Sequence, residues 1–213
     1  MVRNIPVFTT EYGIASLTLE EIPYKKEAYI RIQSSVAPQQ LLNECVDFCR
    51  FAGADHIYAT GEESLSRYPL HATVLRMVCD RALLPTSNAD LVPVQVDTLD
   101  RWRMIFNQKM AGVSNAATMT ASAAKQVLEQ GEGYFVYQGD TLIGIGKAQS
   151  DTVDAIIALI PGAGETVMLA LCSVLATDRV FVEVASDNHR AVKLYHKLGF
   201  AIEKELSSWY KIV

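Results

Sequence analysis

The sequence predicts an α/β fold: a mixed sheet flanked by helices, preceded by a smaller α/β half. Three observations lead there. From Asp97 onward the segments run helix, helix, three strands, helix, strand, helix, two strands, an order that excludes both a helical bundle and a strand-only sandwich. Before that, the chain reads as strand, strand, helix, strand, with a further strand at Leu70 to Met77. Between them lies Leu84-Pro85-Thr86-Ser87-Asn88-Ala89-Asp90, a polar stretch with a proline that reads as a linker. Two domains are expected, 1–88 and 89–213.

In the first half, Thr9 to Leu19 and Glu27 to Gln33 have strand character, and His56 to Thr60 forms another strand. Pro38 to Phe51 is a helix, with proline in its first turn and Gly53 beyond its end. In the second half, Asp97 is a candidate cap for a helix to about Met110, with Leu99, Trp102, Arg103, Ile105 and Phe106 at helical spacing. A second helix runs from near Thr120 to Gln130 and stops at Gly131. Tyr134–Tyr137 and Thr141–Gly146 form a hairpin around Gln138-Gly139-Asp140. Val153 to Ile160 is a more continuously apolar strand, which implies burial on both faces. A helix from Val167 to about Ala176, a strand over Val180–Val184 and a helix from Asn188 to Leu198 follow, and Phe200–Glu205 with Ser208–Ile212 read as a closing hairpin. The order of the first half repeats part of that of the second, which suggests a degenerate internal duplication.

With 213 residues, half of them hydrophobic and 20% charged, the chain can bury a core without a disulfide or metal staple. Its net charge of −5 and the lack of any like-charge run beyond pairs such as Lys25-Lys26 argue against nucleic acid as a partner. Cys45, Cys49, Cys79 and Cys172 form no CxxC pair and no zinc-ligand spacing, so no metal is expected. Cys45 and Cys49 lie one helical turn apart; two small core residues are the plainer reading, a redox or metal role the other. Met1 to Pro6 lacks the apolar run of a signal peptide, and Ala155 to Pro161 is too short to span a bilayer. A soluble protein in the reducing cytoplasm, not bound to a membrane, is the expectation.

The most informative segment is Val180 to Phe200. Asp187 or Asn188 caps a helix with Ala191, Leu194, Tyr195 and Leu198 on one face; Gly199 stops it and Phe200 returns to the sheet. This strand, Asn-capped helix and Tyr-x-Lys-x-Gly-Phe run resembles the signature of GNAT acetyltransferases, and the element order from Asp97 to Val213 is similar to that family's. The resemblance implies a GNAT-type acetyltransferase domain over 89–213, a degenerate GNAT-like domain over 1–88, and acetyl-CoA as cofactor. It also implies that Tyr195 is the general acid that protonates the departing CoA thiolate, a role for which a phenol, protonated at neutral pH, is suited. A core aromatic is the alternative for Tyr195, and for Asn188 the alternatives are a contact to CoA or a helix cap alone.

A second segment, Leu159-Ile160-Pro161-Gly162-Ala163-Gly164, sits between a strand and a helix. The same resemblance makes it the loop that holds the CoA pyrophosphate through the backbone of Gly162, Ala163, Gly164, Glu165 and Thr166; an ordinary strand-to-helix turn would look alike. Leu159 stands where the family carries Gln or Arg, no base lies among the glycines, and Glu165 places a negative charge there. The family's oxyanion donor and pantetheine contacts fall on the strand bearing Ile157 and Ala158. Removing a proton from the acceptor amine needs a base, and Glu183 or Asp154 are candidates, each otherwise an edge or turn residue. The implied reaction is direct attack of an amine, on a small molecule or a protein, with the N-terminal half shaping the acceptor cleft or a homodimer contact. The alternative is a CoA-binding or regulatory module without turnover.

Overall fold

The computed structural model describes residues 6–213; residues 1–5 lie outside it. Its strands are β1 (Val7–Thr10), β2 (Gly13–Thr18), β3 (Glu27–Ser35), β4 (His56–Thr60), β5 (Leu70–Asp80), β6 (Asp90–Pro93), β7 (Gly133–Gln138), β8 (Thr141–Gln149), β9 (Thr152–Ala158), β10 (Arg179–Ala185) and β11 (Ala201–Lys211). Its helices are α1 (Ile22–Lys25), α2 (Pro38–Phe51), α3 (Leu99–Met110), α4 (Ala121–Gln130), α5 (Gly164–Ser173) and α6 (His189–Lys197). The chain divides into two units, 1–74 with 205–213, and 75–204. The division falls inside β5 and β11, so the polar stretch 84–90 lies within the second unit.

In the first unit the strand order is β1-β2-β3-β4-β11, with β3 and β4 parallel and the other neighbours antiparallel. The residues expected as one strand from Thr9 to Leu19 form a hairpin instead, since the Tyr12 N–H turns back onto Thr10 Oγ1 at 3.1 Å. Helix α2 lays Leu41, Leu42, Cys45, Val46 and Cys49 on the sheet. Burial pushes the thiols of Cys45 and Cys49 up to about 12 and about 11, so both are protonated packing residues at neutral pH.

In the second unit the order is β5-β10-β9-β8-β7-β6. Strands β6 to β9 are antiparallel neighbours and β9 and β10 run parallel. Helices α3 and α4 cover one face, packing Trp102, Phe106 and Val127 against Phe135, Ile145 and Ile157. Helices α5 and α6 cover the other, with Val167, Met168, Leu171, Tyr195 and Leu198 against Val136, Ile143, Val180, Val182 and Val184. Strand β8 lets α5 come close because it carries glycines. A Cβ on Gly144 would stand 2.4 Å from Val167 Cγ2, and one on Gly146 would stand 2.2 Å from Leu171 Cδ1.

Four further local expectations need correction. Thr98, not Asp97, precedes α3, and it spends its hydroxyl on the Gln95 N–H at 2.9 Å. Asp90–Pro93, at the end of the expected linker, is the edge strand β6, paired with β7. Helix α5 begins at Gly164 rather than Val167. The expected closing hairpin is the single strand β11: Ser207-Ser208 does not turn, and the Ser208 hydroxyl meets that of Thr73 at 3.2 Å. Among the described residues no helix is long and apolar enough to cross a membrane, and no group of three or more His, Cys, Asp or Glu side chains could hold a metal ion.

Candidate functional site

The site begins where two parallel strands part. Strands β9 and β10 pair at Phe181 with Thr152, where the Phe181 N–H donates to the Asp151 carbonyl at 2.9 Å. Immediately beyond, the partners of β9 on β8 step from Val153 with Ala148 to Ala155 with Lys147, leaving Asp154 as a bulge. A bulge bends and twists its strand, which turns β9 away from β10. The Leu159 N–H bonds the Ile143 carbonyl at 2.8 Å, and Ile157 stands opposite Ile145. Because hydrogen-bonded pairs alternate along an antiparallel ladder, the Ile157 backbone is committed to β8 while the N–H groups of Ile156 and Ala158 face the β10 side. Ile156 was not among the residues singled out from the sequence, because its role depends on register. The Ile157 and Leu159 side chains pack with the α3–α4 core, and Ala158 stands opposite Gly144.

At the carboxyl ends of these strands lie two turns and two helix starts, the usual place for a ligand in an open α/β sheet. Gly162 has a φ of 87°, and no atom lies within 4 Å of a Cβ built on it. The Ala163 N–H bonds the Ile160 carbonyl at 3.1 Å, no side chain caps α5, and the helix bonds start with Val167 N–H on Ala163 O. The N–H groups of Gly164, Glu165 and Thr166 therefore precede the first helical bond. Glu165 is not left alone there, since Lys197 of α6 pairs with its carboxylate. The close packing of Leu194 on Gly164 brings that end of α6 to the loop. Asn188 caps α6 through its Oδ1, which accepts from the Ala191 N–H at 3.2 Å, and the cap does not use its amide nitrogen.

Tyr195 lies in the core under α5 and is 6% exposed, with its ring 5.8 Å from that of Phe200. Burial, and after it the neighbouring Cys172, pushes the phenol up to about 12. It therefore holds its proton through the neutral range. Glu183 is exposed on β10, on the face opposite Val180, Val182 and Val184. With Asp151, Thr152 and Asp154 it lines an open cleft of about 330 Å³ beside the last β9–β10 pair. Asp154 is engaged by Lys147 and by Gln149, each at 2.7 Å, and Lys147 also reaches Glu132 at 3.1 Å. Of the two candidates, Asp154 already spends its carboxylate on Lys147 and Gln149, while Glu183 stands exposed at the cleft.

No family model matches the sequence, and no curated protein matches it. Solved structures do. A GCN5-related N-acetyltransferase from Sphaerobacter thermophilus superposes with a TM-score of 0.62 at 11% identity, over 93% of this chain and 75% of that one. A conserved protein of unknown function from Staphylococcus epidermidis gives 0.58 at 13% identity, over 98% and 93%. A tandem GNAT protein of the clavulanic acid biosynthesis pathway gives 0.51 at 12% identity, over 94% and 78%. At these identities the likeness is one of fold.

Proposed function

We propose that this chain, whose fold is that of the GNAT acetyltransferases, is an acetyl-CoA-dependent N-acetyltransferase that passes the acetyl group directly to an amine acceptor. The observation that carries the reading is the parting of β9 and β10 after Thr152, with two backbone N–H groups of β9 turned into the gap. An extended chain bearing amides fits such a strand flank, because it can continue the ladder that β10 abandons. At its far end, the Gly162 backbone and the N–H groups of Gly164 to Thr166 are disposed to receive a diphosphate, and Lys197 stands beside them.

Acetyl-CoA would supply the acetyl group as a reactive thioester. The N–H of Ile156 or Ala158 can stabilise the carbonyl oxygen as it gains negative charge during attack. Glu183 accepts a proton from the amine, directly or through water. Tyr195, pushed up to about 12, lies well above an ordinary thiol near 8.5, so it acts as a hydrogen-bond donor to sulfur more readily than as a full proton source. A binding module without turnover is the second reading. It is favoured by the carboxylate of Glu165 in the first turn of α5, where an anionic ligand would have to compete for Lys197.

A thermal shift with CoA, followed by thiol release from acetyl-CoA across a panel of amines, tests both readings. Stabilisation by CoA with turnover that falls by about 10²-fold or more in Tyr195→Phe or Glu183→Gln supports the enzyme. Stabilisation with no turnover on any amine supports the module, and no stabilisation at millimolar CoA removes both.

A further inference from the structure

The bulge that turns β9 from β10 is fastened by side chains where the ladder leaves it unfastened. Val153, Asp154 and Ala155 of β9 stand against Ala148 and Lys147 of β8, so Asp154 has no partner in the register. The extra residue of a bulge drops out of the ladder, which is locally broken there. Here its carboxylate makes the attachment. Lys147 Nζ and Gln149 Nε2 both donate to Asp154 Oδ2, each at 2.7 Å. Residues 147 and 149 lie two apart in β8, on one face and on either side of Ala148. Two donors that converge on one oxygen from separate points fix its position, which a single flexible ion pair does not.

Lys147 is itself held from behind. Its Nζ lies 3.1 Å from Glu132 Oε2, and Glu132, between α4 and β7, is 8% exposed. The Glu132 carbonyl accepts from the Ala148 N–H at 3.0 Å, which ties the backbone of that residue to β8 as well. One ammonium therefore serves two carboxylates, one of them buried. Glu132, Lys147 and Asp154 form a polar strut that runs from the end of α4 across β8 to the bulge. An isolated surface pair contributes little, because two long side chains must be ordered for it. In this strut Glu132 is fixed by burial and Asp154 by a second donor, and the Lys147 side chain is 19% exposed.

We propose that Lys147 is a positioning residue: it holds Asp154, and through it the bulge that sets the gap between β9 and β10. Ile156 follows Asp154 by two residues, so looseness at the bulge reaches the N–H groups that face the gap. The assignment rests on the acetyltransferase reading for what enters the gap, but not for the strut itself.

The test uses Lys147→Met, which keeps an unbranched stem and removes the charge, and Lys147→Arg, which keeps charge and donors. Asp154→Ala and the double variant Lys147→Met/Asp154→Ala complete the set. Amide hydrogen exchange is read first, without ligand, at Ile157 and Leu159 beyond the bulge and at Val136, in β7 on the far side of β8, as the reference. In Lys147→Met the first two should exchange about 10-fold faster or more relative to Val136, and Lys147→Arg should restore most of the protection. CoA affinity should fall by about 10-fold in Lys147→Met and in Asp154→Ala. The double variant should bind no more weakly than either, since both changes remove the same contact. Exchange that rises equally at all three amides would make Lys147 a residue of general stability, and unchanged exchange would deny it any hold on the bulge; either result overturns the proposal. Additive losses of CoA affinity overturn it as well, because Lys147 would then act other than through Asp154. If wild type takes up no CoA, the acetyltransferase reading falls, and exchange at Ile157 and Leu159 decides the strut by itself.

Discussion

Gly162 offers a sharp test of the loop, because its surroundings separate backbone cost from ligand blockage. At φ 87° an alanine is unfavourable, costing about 1–2 kcal/mol. No atom lies within 4 Å of the added methyl, so no packing penalty joins that cost. For a chain of this size each kcal/mol lowers the melting temperature by about 2–4 °C, so Gly162→Ala should melt about 2–8 °C lower. Gly139, in the turn between β7 and β8, has φ 57° and equally open space, so Gly139→Ala should lose a similar or smaller amount. The two variants differ in what the open space is for. At residue 162 the methyl would stand where the proposed diphosphate would approach the backbone, and CoA affinity should fall about 10-fold or more, or about 1.4 kcal/mol. At residue 139 it should not change. Calorimetric titration with CoA, alongside thermal melts of both variants, reads these effects separately. Equal CoA affinity in Gly162→Ala and Gly139→Ala would refute the assignment of the loop, whatever their stabilities.

Gly144→Ala should be destabilised by about 1–3 kcal/mol in urea unfolding, because its methyl meets Val167 Cγ2 at 2.4 Å and the fixed Ile157 carbonyl at 2.7 Å; a cost near zero would show that α5 can retreat from β8. Glu165→Gln frees Lys197, and since the pair is largely exposed, stability should move by less than about 0.5 kcal/mol. CoA should bind it about 3-fold more tightly or better, and weaker binding would mean that Glu165 takes no part in opposing an anion. Stability should decline in alkali. Cys45, Cys172 and Tyr195 are pushed up to about 12 and Cys49 to about 11, so the unfolded chain loses these protons first. Their contribution is full below about pH 9 and disappears as the pH rises towards 12. Urea midpoints at pH 8, 9.5 and 11 should fall in that order, and a flat profile would contradict the burial of these groups.

The sequence was most legible where a segment carries its own ends. Helix α2 starts at Pro38, α4 lies between Thr120, whose hydroxyl accepts from the Ala123 N–H at 3.1 Å, and Gly131, and α6 lies between Asn188 and Gly199. Each boundary is set by a residue within one turn of it. What escaped depends on neighbours remote in sequence. Asp90 closes the stretch read as a linker and Leu91 to Pro93 are too few to show an alternation, so only pairing with Tyr134 to Tyr137 makes Asp90 to Pro93 a strand. Ser207-Ser208 resembles a turn until Thr73 supplies a hydroxyl opposite. Lys197 and Glu165 are separated by a helix and a strand, so no spacing rule joins them.

Strand β9 shows the same limit at the point where function would be decided. Val153, Ala155 and Ile157 should share one face if side chains alternate strictly. Instead Val153 packs with the α5–α6 core while Ala155 and Ile157 pack with α3 and α4, because the bulge at Asp154 slips the register by one residue. A continuous apolar run reads as burial on both faces whether or not such a slip is present, so the pattern that revealed the strand could not reveal the bulge. Yet the slip is what turns β9 from β10 and aims the N–H groups of Ile156 and Ala158 into the gap. The run in α6 that resembles the GNAT signature can be seen in the chain of letters; the opening beside it is written in the pairing of β9 with β8.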